Sequence, residues 1–417
     1  MALAGLIVPA CGAGTWSFHE EPALRSGRPH VLGKSNGSTA TLTAQVLPLD
    51  GKDTSPLEAI ISTSGTTARI DFPEFDEDTC AEINIFAEPG KKLFSWRTLV
   101  RPKGQAIVNY HGRKKMLPPP DFDKYWDRAL HDLKKVPLQP LVSRVPDKDT
   151  STGLLFSVEL PSVEETTVVC WYFVPRDALS TAGKPLKKCP AAMIFPGYGG
   201  SVGPADRTAE GMITLSVNPR NHGPSRKYWK SPVDHPRYHI ENPETFYYRQ
   251  AYLDCLRCSQ FLFSRGEVDP KRVATEGSSQ GGLFALATAA LEPRIACVFA
   301  MVIAFSDYPD GMVLSTRGHH AQYREMTADG STSATQILKT LSYVDGANMA
   351  TRVKCPVEIV MGGVDTVCPY VCGAVVANRL PKGTERRVSV QPGIKHDATD
   401  AMRKMKAEWQ RRWLKLK

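Results

Sequence analysis

The chain has 417 residues, 42% of them hydrophobic and 23% charged. That is the composition of a globular protein and too long for one ordinary core, so two domains are expected. No run of 18 apolar residues occurs, which excludes a membrane-spanning helix, and the net charge of +9 is spread along the chain rather than gathered in a stripe, which argues against a nucleic-acid partner.

Met1 to Gly14 is short and apolar. Leu6-Ile7-Val8-Pro9-Ala10-Cys11 is similar to a lipoprotein signal but has no Lys or Arg before it, so residues 1–20 are read as an N-terminal tail or an export signal. Thr39 to Leu47, Ala59 to Thr63, Thr67 to Phe72 and Ala81 to Phe86 are rich in β formers, and a Pro89-Gly90 turn follows. Short strands at this spacing predict a small β-sandwich over 21–115, with Phe72, Phe75, Phe86, Phe94 and Trp96 in its core. Pro118-Pro119-Pro120 forms a stiff joint to a second domain, 116–417.

Beyond the joint, Asp121 to Trp126 opens an amphipathic helix reaching about Lys135, and Phe156 to Leu160 with Thr167 to Val174 reads as a hairpin. From Ala191 buried apolar runs alternate with helical stretches. The runs are Ala191 to Phe195, Met212 to Val217, Arg272 to Thr275, Ile295 to Ile303, Pro356 to Met361 and Arg387 to Val390. This alternation predicts an α/β fold with a mostly parallel sheet covered on both faces. Met405, Trp409 and Trp413 at four-residue spacing predict a closing helix with its basic face in water. Of ten cysteines, Cys255 and Cys258 lack the partner pair that a zinc site needs, so buried free thiols are expected and no metal.

The chemistry gathers around Gly277-Ser278-Ser279-Gln280-Gly281-Gly282, which follows the run ending at Thr275 and precedes an apolar helix. That is the setting of a nucleophile elbow, Gly-x-Ser-x-Gly between strand and helix. A serine hydroxyl needs a base to take its proton, and the acid and base follow it in the order Asp or Glu, then His. His396, in the loop after the last predicted strand, is the candidate base, and Asp365, after the strand Val357 to Met361, is the candidate acid. Asp397 is a rival acid ranked low, because adjacent residues rarely face each other. An oxyanion requires preorganised donors. The Gln280 N–H is one candidate and the Tyr198 N–H, in the glycine-rich loop Phe195 to Gly200, is the other.

From about Pro120 onward the chain resembles the acetyl xylan esterase / cephalosporin-C deacetylase family of the α/β-hydrolase superfamily. The resemblance rests on Asp121 to Trp126, Pro196-Gly197-Tyr198, the Gly277 to Gly282 elbow, Leu341 to Asp345 with Asn348, and Val364-Asp365-Thr366-Val367-Cys368-Pro369. It implies an α/β-hydrolase in which Ser279, Asp365 and His396 form the triad and Tyr198 and Gln280 supply the oxyanion donors. It also implies removal of acetyl groups from small-molecule or oligosaccharide esters without a cofactor, a preference for acetyl over butyryl, and an extracytoplasmic setting. Self-association is left open. The chain departs from the family pattern at Pro196, where the family has His, at Asn221-His222 within the Arg220 to Gly223 loop, and at Asp397 after the histidine.

Two other readings compete. A serine peptidase of the prolyl-oligopeptidase type shares the hydrolase core but brings a propeller of repeated blades, and no repeat is visible. A non-catalytic sugar-binding protein on a hydrolase fold has no need of all three triad residues. All site candidates lie after Ala191, so the β-rich segment is expected to contribute no catalytic group and to pack against the hydrolase.

Overall fold

The computed structural model describes residues 6–8, 16–21, 29–36, 41–49, 55–87, 90–102, 105–113, 116–330 and 332–416. Among them the N-terminal strands are β1 (Leu6–Val8), β2 (Trp16–Glu21), β3 (His30–Ser35), β4 (Leu42–Pro48), β5 (Leu57–Glu58), β6 (Ile60–Ser64), β7 (Thr67–Asp71), β8 (Thr79–Ala87) and β9 (Lys91–Val100). They form two antiparallel sheets, ordered β1-β2-β3-β7-β6 and β5-β4-β8-β9. Period-2 patterning drives this: in β3, β4 and β7 buried residues alternate with more exposed ones. Val31, Val46, Ile70, Ile83 and Ile85 are buried, and Phe72 meets Trp96 edge-on at 5.9 Å. Phe94 is also buried, while Phe75 and Phe86 are partly so. Leu6–Val8, inside the segment read as a tail or signal, pairs with Trp16 to Phe18, and Cys11 lies outside the described residues.

The remainder is an α/β fold built on one mixed sheet. In chain order it comprises α1 (Phe122–Lys135), β10 (Leu141–Arg144), β11 (Gly153–Pro161), β12 (Thr167–Pro175), β13 (Cys189–Phe195), β14 (Ile213–Asn218), α2 (Tyr247–Ser264), β15 (Val268–Ser278) and α3 (Gln280–Leu291). Then come β16 (Cys297–Met301), α4 (Tyr308–Leu314), α5 (His319–Thr327), α6 (Thr332–Val344), α7 (Gly346–Ala350), β17 (Val357–Gly362), α8 (Tyr370–Asn378), β18 (Arg386–Gln391) and α9 (Asp400–Leu414). One sheet runs β10-β11-β12-β14-β13-β15-β16-β17-β18. It is antiparallel as far as the β12–β14 pairing and parallel from β14 onward.

β14, β16 and β17 are buried along their whole length, as strands covered on both faces must be. On one face α3 is buried all round, so helix α3 is held by packing rather than by an amphipathic stripe. On the other, Met402, Trp409 and Leu414 of α9 pack in a second core with Ala192, Ala274, Phe299 and Val360. Met405 and Trp413 are only partly buried beside it, and Arg403, Lys404, Arg411 and Arg412 face solvent. All nine described cysteines are buried.

Candidate active site

Ser279 stands between β15 and α3 with φ 58° and ψ −123°, outside the regions that a side chain favours. Its surroundings fix it there. Its N–H donates to the Met301 carbonyl at 2.9 Å, and its own carbonyl accepts from Gly282 N at 3.0 Å and Leu283 N at 3.3 Å. The flanking glycines are required by close approach. A Cβ on Gly277 would lie 2.3 Å from Gly281 C, and one on Gly281 would lie 2.4 Å from the Phe195 carbonyl oxygen.

The loop after β18 brings His396 to this serine, with Nε2 2.9 Å from Ser279 Oγ. The loop after β17 brings Asp365 to the other side of the ring, with Oδ2 2.7 Å from Nδ1. Asp365 Oδ1 accepts from Val367 N at 2.8 Å and Cys368 N at 2.9 Å, so the carboxylate is held before the imidazole engages it. The Asp397 carboxylate accepts from Ala398 N on the exposed side instead. Asp365, Cys368 and His396 are also near enough to share a metal ion. The Asp365 and His396 donor atoms are already committed to each other, to Ser279 and to the Val367 and Cys368 N–H groups, and burial pushes the Cys368 thiol well up, which keeps it protonated.

Gln280 occupies the first position of α3, where the N–H has no partner inside the helix. Its side chain points away into a buried network: 3.0 Å from His222 Nε2, 3.0 Å from His235 Nε2, and donating to the Tyr248 hydroxyl at 2.7 Å. Burial lowers the pKa of both imidazoles, that of His235 to about 2, so both are neutral. His222 is one of the residues at which the chain departs from the family pattern, and it serves to hold the elbow. Arg220 beside it is buried against Asp254 at 2.8 Å. Tyr198 projects its hydroxyl to the Asp234 carboxylate, and its ring packs 4.7 Å from His235 and 4.3 Å from His319. That fixes the backbone of its loop beside the serine.

A cavity of about 580 Å³ opens over Ser279, walled by Gly197, Tyr198, Phe305, His319, Val367 and His396. Phe305, His319, Asp234 and His235 escape a reading of the sequence because no motif marks them. Phe305 follows β16 in a loop where Val302, Phe305 and Asp307 all take positive φ, a conformational signal that residue types do not carry.

The N-terminal sheets touch the loops of Asp365 and His396 from behind. Glu20 Oε1 accepts from Gly393 N at 2.6 Å, and the Trp96 indole N–H donates to the Gly363 carbonyl at 3.1 Å. The two loops are bonded to each other as well, Gly363 N to Gln391 O at 2.9 Å and Val364 N to Ile394 O at 3.1 Å.

A sequence model of the acetyl xylan esterase (AXE1) family matches residues 104–414. The chain belongs to the acetyl xylan esterase family. That is a family of carboxylic ester hydrolases, and the match begins after β9, leaving the N-terminal sheets before it. The acetyl esterase Axe7A of Xylanibacter ruminicola is 25% identical over 281 residues, covering 65% of this chain and 62% of that protein. The chain therefore spans under two-thirds of that relative. The acetyl xylan esterase of Paenibacillus sp. R4 superposes with a TM-score of 0.67 at 25% identity, over 74% of this chain and 98% of that one. Acetyl xylan esterase 1 from Thermoanaerobacterium sp. JW/SL YS485 gives 0.65 at 22% identity, over 73% and 96%, and shares the fold.

Proposed function

We propose that the protein is a serine carboxylesterase that removes acetyl groups from carbohydrate or similar esters. The observation that carries this is the unbroken chain from Ser279 Oγ through His396 to Asp365 at the floor of an open cavity. His396 Nε2 takes the hydroxyl proton as Ser279 Oγ attacks the ester carbonyl. The Gln280 and Tyr198 N–H groups receive the negative charge on the carbonyl oxygen, and Asp365 stabilises the imidazolium. Collapse releases the sugar alcohol, which leaves with the proton from His396, and an acetyl-serine remains. Water, deprotonated by the same imidazole, then releases acetate and restores the serine. No step calls for a cofactor.

Ser279→Ala tests the assignment. The variant is expected to keep its fold by circular dichroism and to lose roughly three or more orders of magnitude in turnover of 4-nitrophenyl acetate. Retention of more than about a tenth of the wild-type rate would reject the elbow serine as nucleophile.

A further inference from the structure

A second cavity of about 550 Å³ lies between the N-terminal sheets and the triad loops. Phe18 and Phe94, with ring centroids 5.9 Å apart, contribute apolar lining. Lys92, Arg317 and Lys395 bring three cations to it, against one carboxylate, the buried Glu20 that accepts from Gly393 N. Among the described residues no ion pair engages any of the three, and Arg317 donates only to the neutral Thr366 hydroxyl at 3.2 Å. Arginines on or next to the N-terminal strands behave differently: Arg69, Arg97 and Arg101 are paired with Asp71, Glu82 and Asp78. Lys92 Nζ stands 5.7 Å from the Phe86 ring centroid, a contact that leaves its charge unneutralised, and a cleft with an excess of one sign of charge concentrates counter-charge within it.

The cleft adjoins the catalytic cavity residue by residue. Arg317, Thr366 and Lys395 line the cleft, while the residues that follow each of them, Gly318, Val367 and His396, line the catalytic cavity. Three chain segments therefore form a common wall one residue thick. We infer that the cleft receives an anionic group carried by the esterase's own substrate, a uronate carboxylate on an acetylated glycan, while the acetyl ester sits over Ser279. This rests on the esterase reading. It adds a substrate class, acidic acetylated oligosaccharides, and gives the N-terminal sheets a share in selecting it.

The test compares an acetylated xylo-oligosaccharide bearing a uronate branch with the same molecule methyl-esterified at that carboxylate. Wild-type kcat/KM is expected to favour the free acid by roughly three- to tenfold, mainly through KM, and the preference should collapse in ~1 M salt. In Lys92→Glu, on an exposed position of β9, the ratio between the two substrates should fall to one or below. A binding arm separates this proposal from the esterase reading. Calorimetry on the Ser279→Ala protein, with the deacetylated forms of both oligosaccharides, should show the same preference for the free acid. Turnover surviving in Ser279→Ala strikes at the esterase reading, while the calorimetric comparison decides the cleft by itself. Equal binding of acid and methyl ester overturns the proposal. Free glucuronate or sulfate binding as tightly as the oligosaccharide overturns it too, because the cleft would then serve small anions unconnected with the ester.

Discussion

Asp365 is held by two backbone N–H groups on one oxygen, and this determines what an amide would do in its place. In Asp365→Asn the side-chain oxygen stays with Val367 N and Cys368 N, and the NH₂ turns toward His396 Nδ1. The imidazole must then accept at Nδ1 and carry its proton on Nε2, where it cannot take one from Ser279. Turnover is expected to fall by roughly 10²–10⁴ with little loss of melting temperature. An unchanged rate would transfer the acid role, with Asp397 first to be tried. A second residue makes the opposite kind of statement. Glu358 on β17 is buried, one of its oxygens lacks a hydrogen-bond partner, and burial raises its pKa to about 7 despite Arg387 at 3.2 Å. A carboxyl raised on folding stabilises most below its unfolded value of 4.5, and that contribution is lost as pH climbs through 7. Thermal melts of Glu358→Gln should therefore lack the decline that wild type shows between those values, by ~1–3 kcal/mol in all. Identical profiles would mean that Glu358 is ionised throughout. Residue types and spacing pointed to Ser279, Asp365 and His396 because strand–turn–helix context is written locally. His319, Phe305 and Asp234 were not legible, since they converge from two loops and the start of α5, whose placement depends on tertiary packing.

The two loops that carry Asp365 and His396 are bonded to each other and to the sheet behind them, so their placement is a property of elements rather than of single side chains. Trp96 is a positioning residue in this sense. Trp96→Phe keeps an aromatic ring beside Phe72 but removes the indole N–H that meets the Gly363 carbonyl, together with part of the ring's bulk. A kcat reduced several-fold on 4-nitrophenyl acetate with KM nearly constant is the expected split, because a small misplacement of a reacting group lowers rate before it lowers binding. A lower melting temperature with kcat intact would assign Trp96 to packing alone. The parallel strands were readable because burial on both faces makes continuous apolar runs, as in β14, β16 and β17. α4, with seven residues, was not, being too short for a helical period to declare itself.

At the scale of the molecule, the N-terminal sheets supply none of the groups proposed to do chemistry, yet they hold the loops that carry those groups. A chain beginning at Leu117 keeps Ser279, Asp365 and His396 but loses Glu20, Trp96 and the Thr98 hydroxyl bonded to Tyr370 at 2.9 Å. It also strips Tyr110 and Arg113 from the buried Asp310 carboxylate. Such a chain, if folded by circular dichroism, should hydrolyse 4-nitrophenyl acetate roughly tenfold more slowly than the full one, given what a slight misalignment of reacting groups costs. Full activity would show the sheets to be dispensable for catalysis, and none at all would place part of the site within them. The nine buried thiols offer a way to watch the two layers part. Cys80 sits in β8, whereas Cys170, Cys297 and Cys372 belong to the hydrolase sheet and its helices. A thiol sealed from solvent meets an alkylating reagent only when its own surroundings open, and local opening proceeds in units of unequal free energy. The protein thus holds a set of clocks, and the order in which they are stopped by a labelling pulse would tell which layer breathes first.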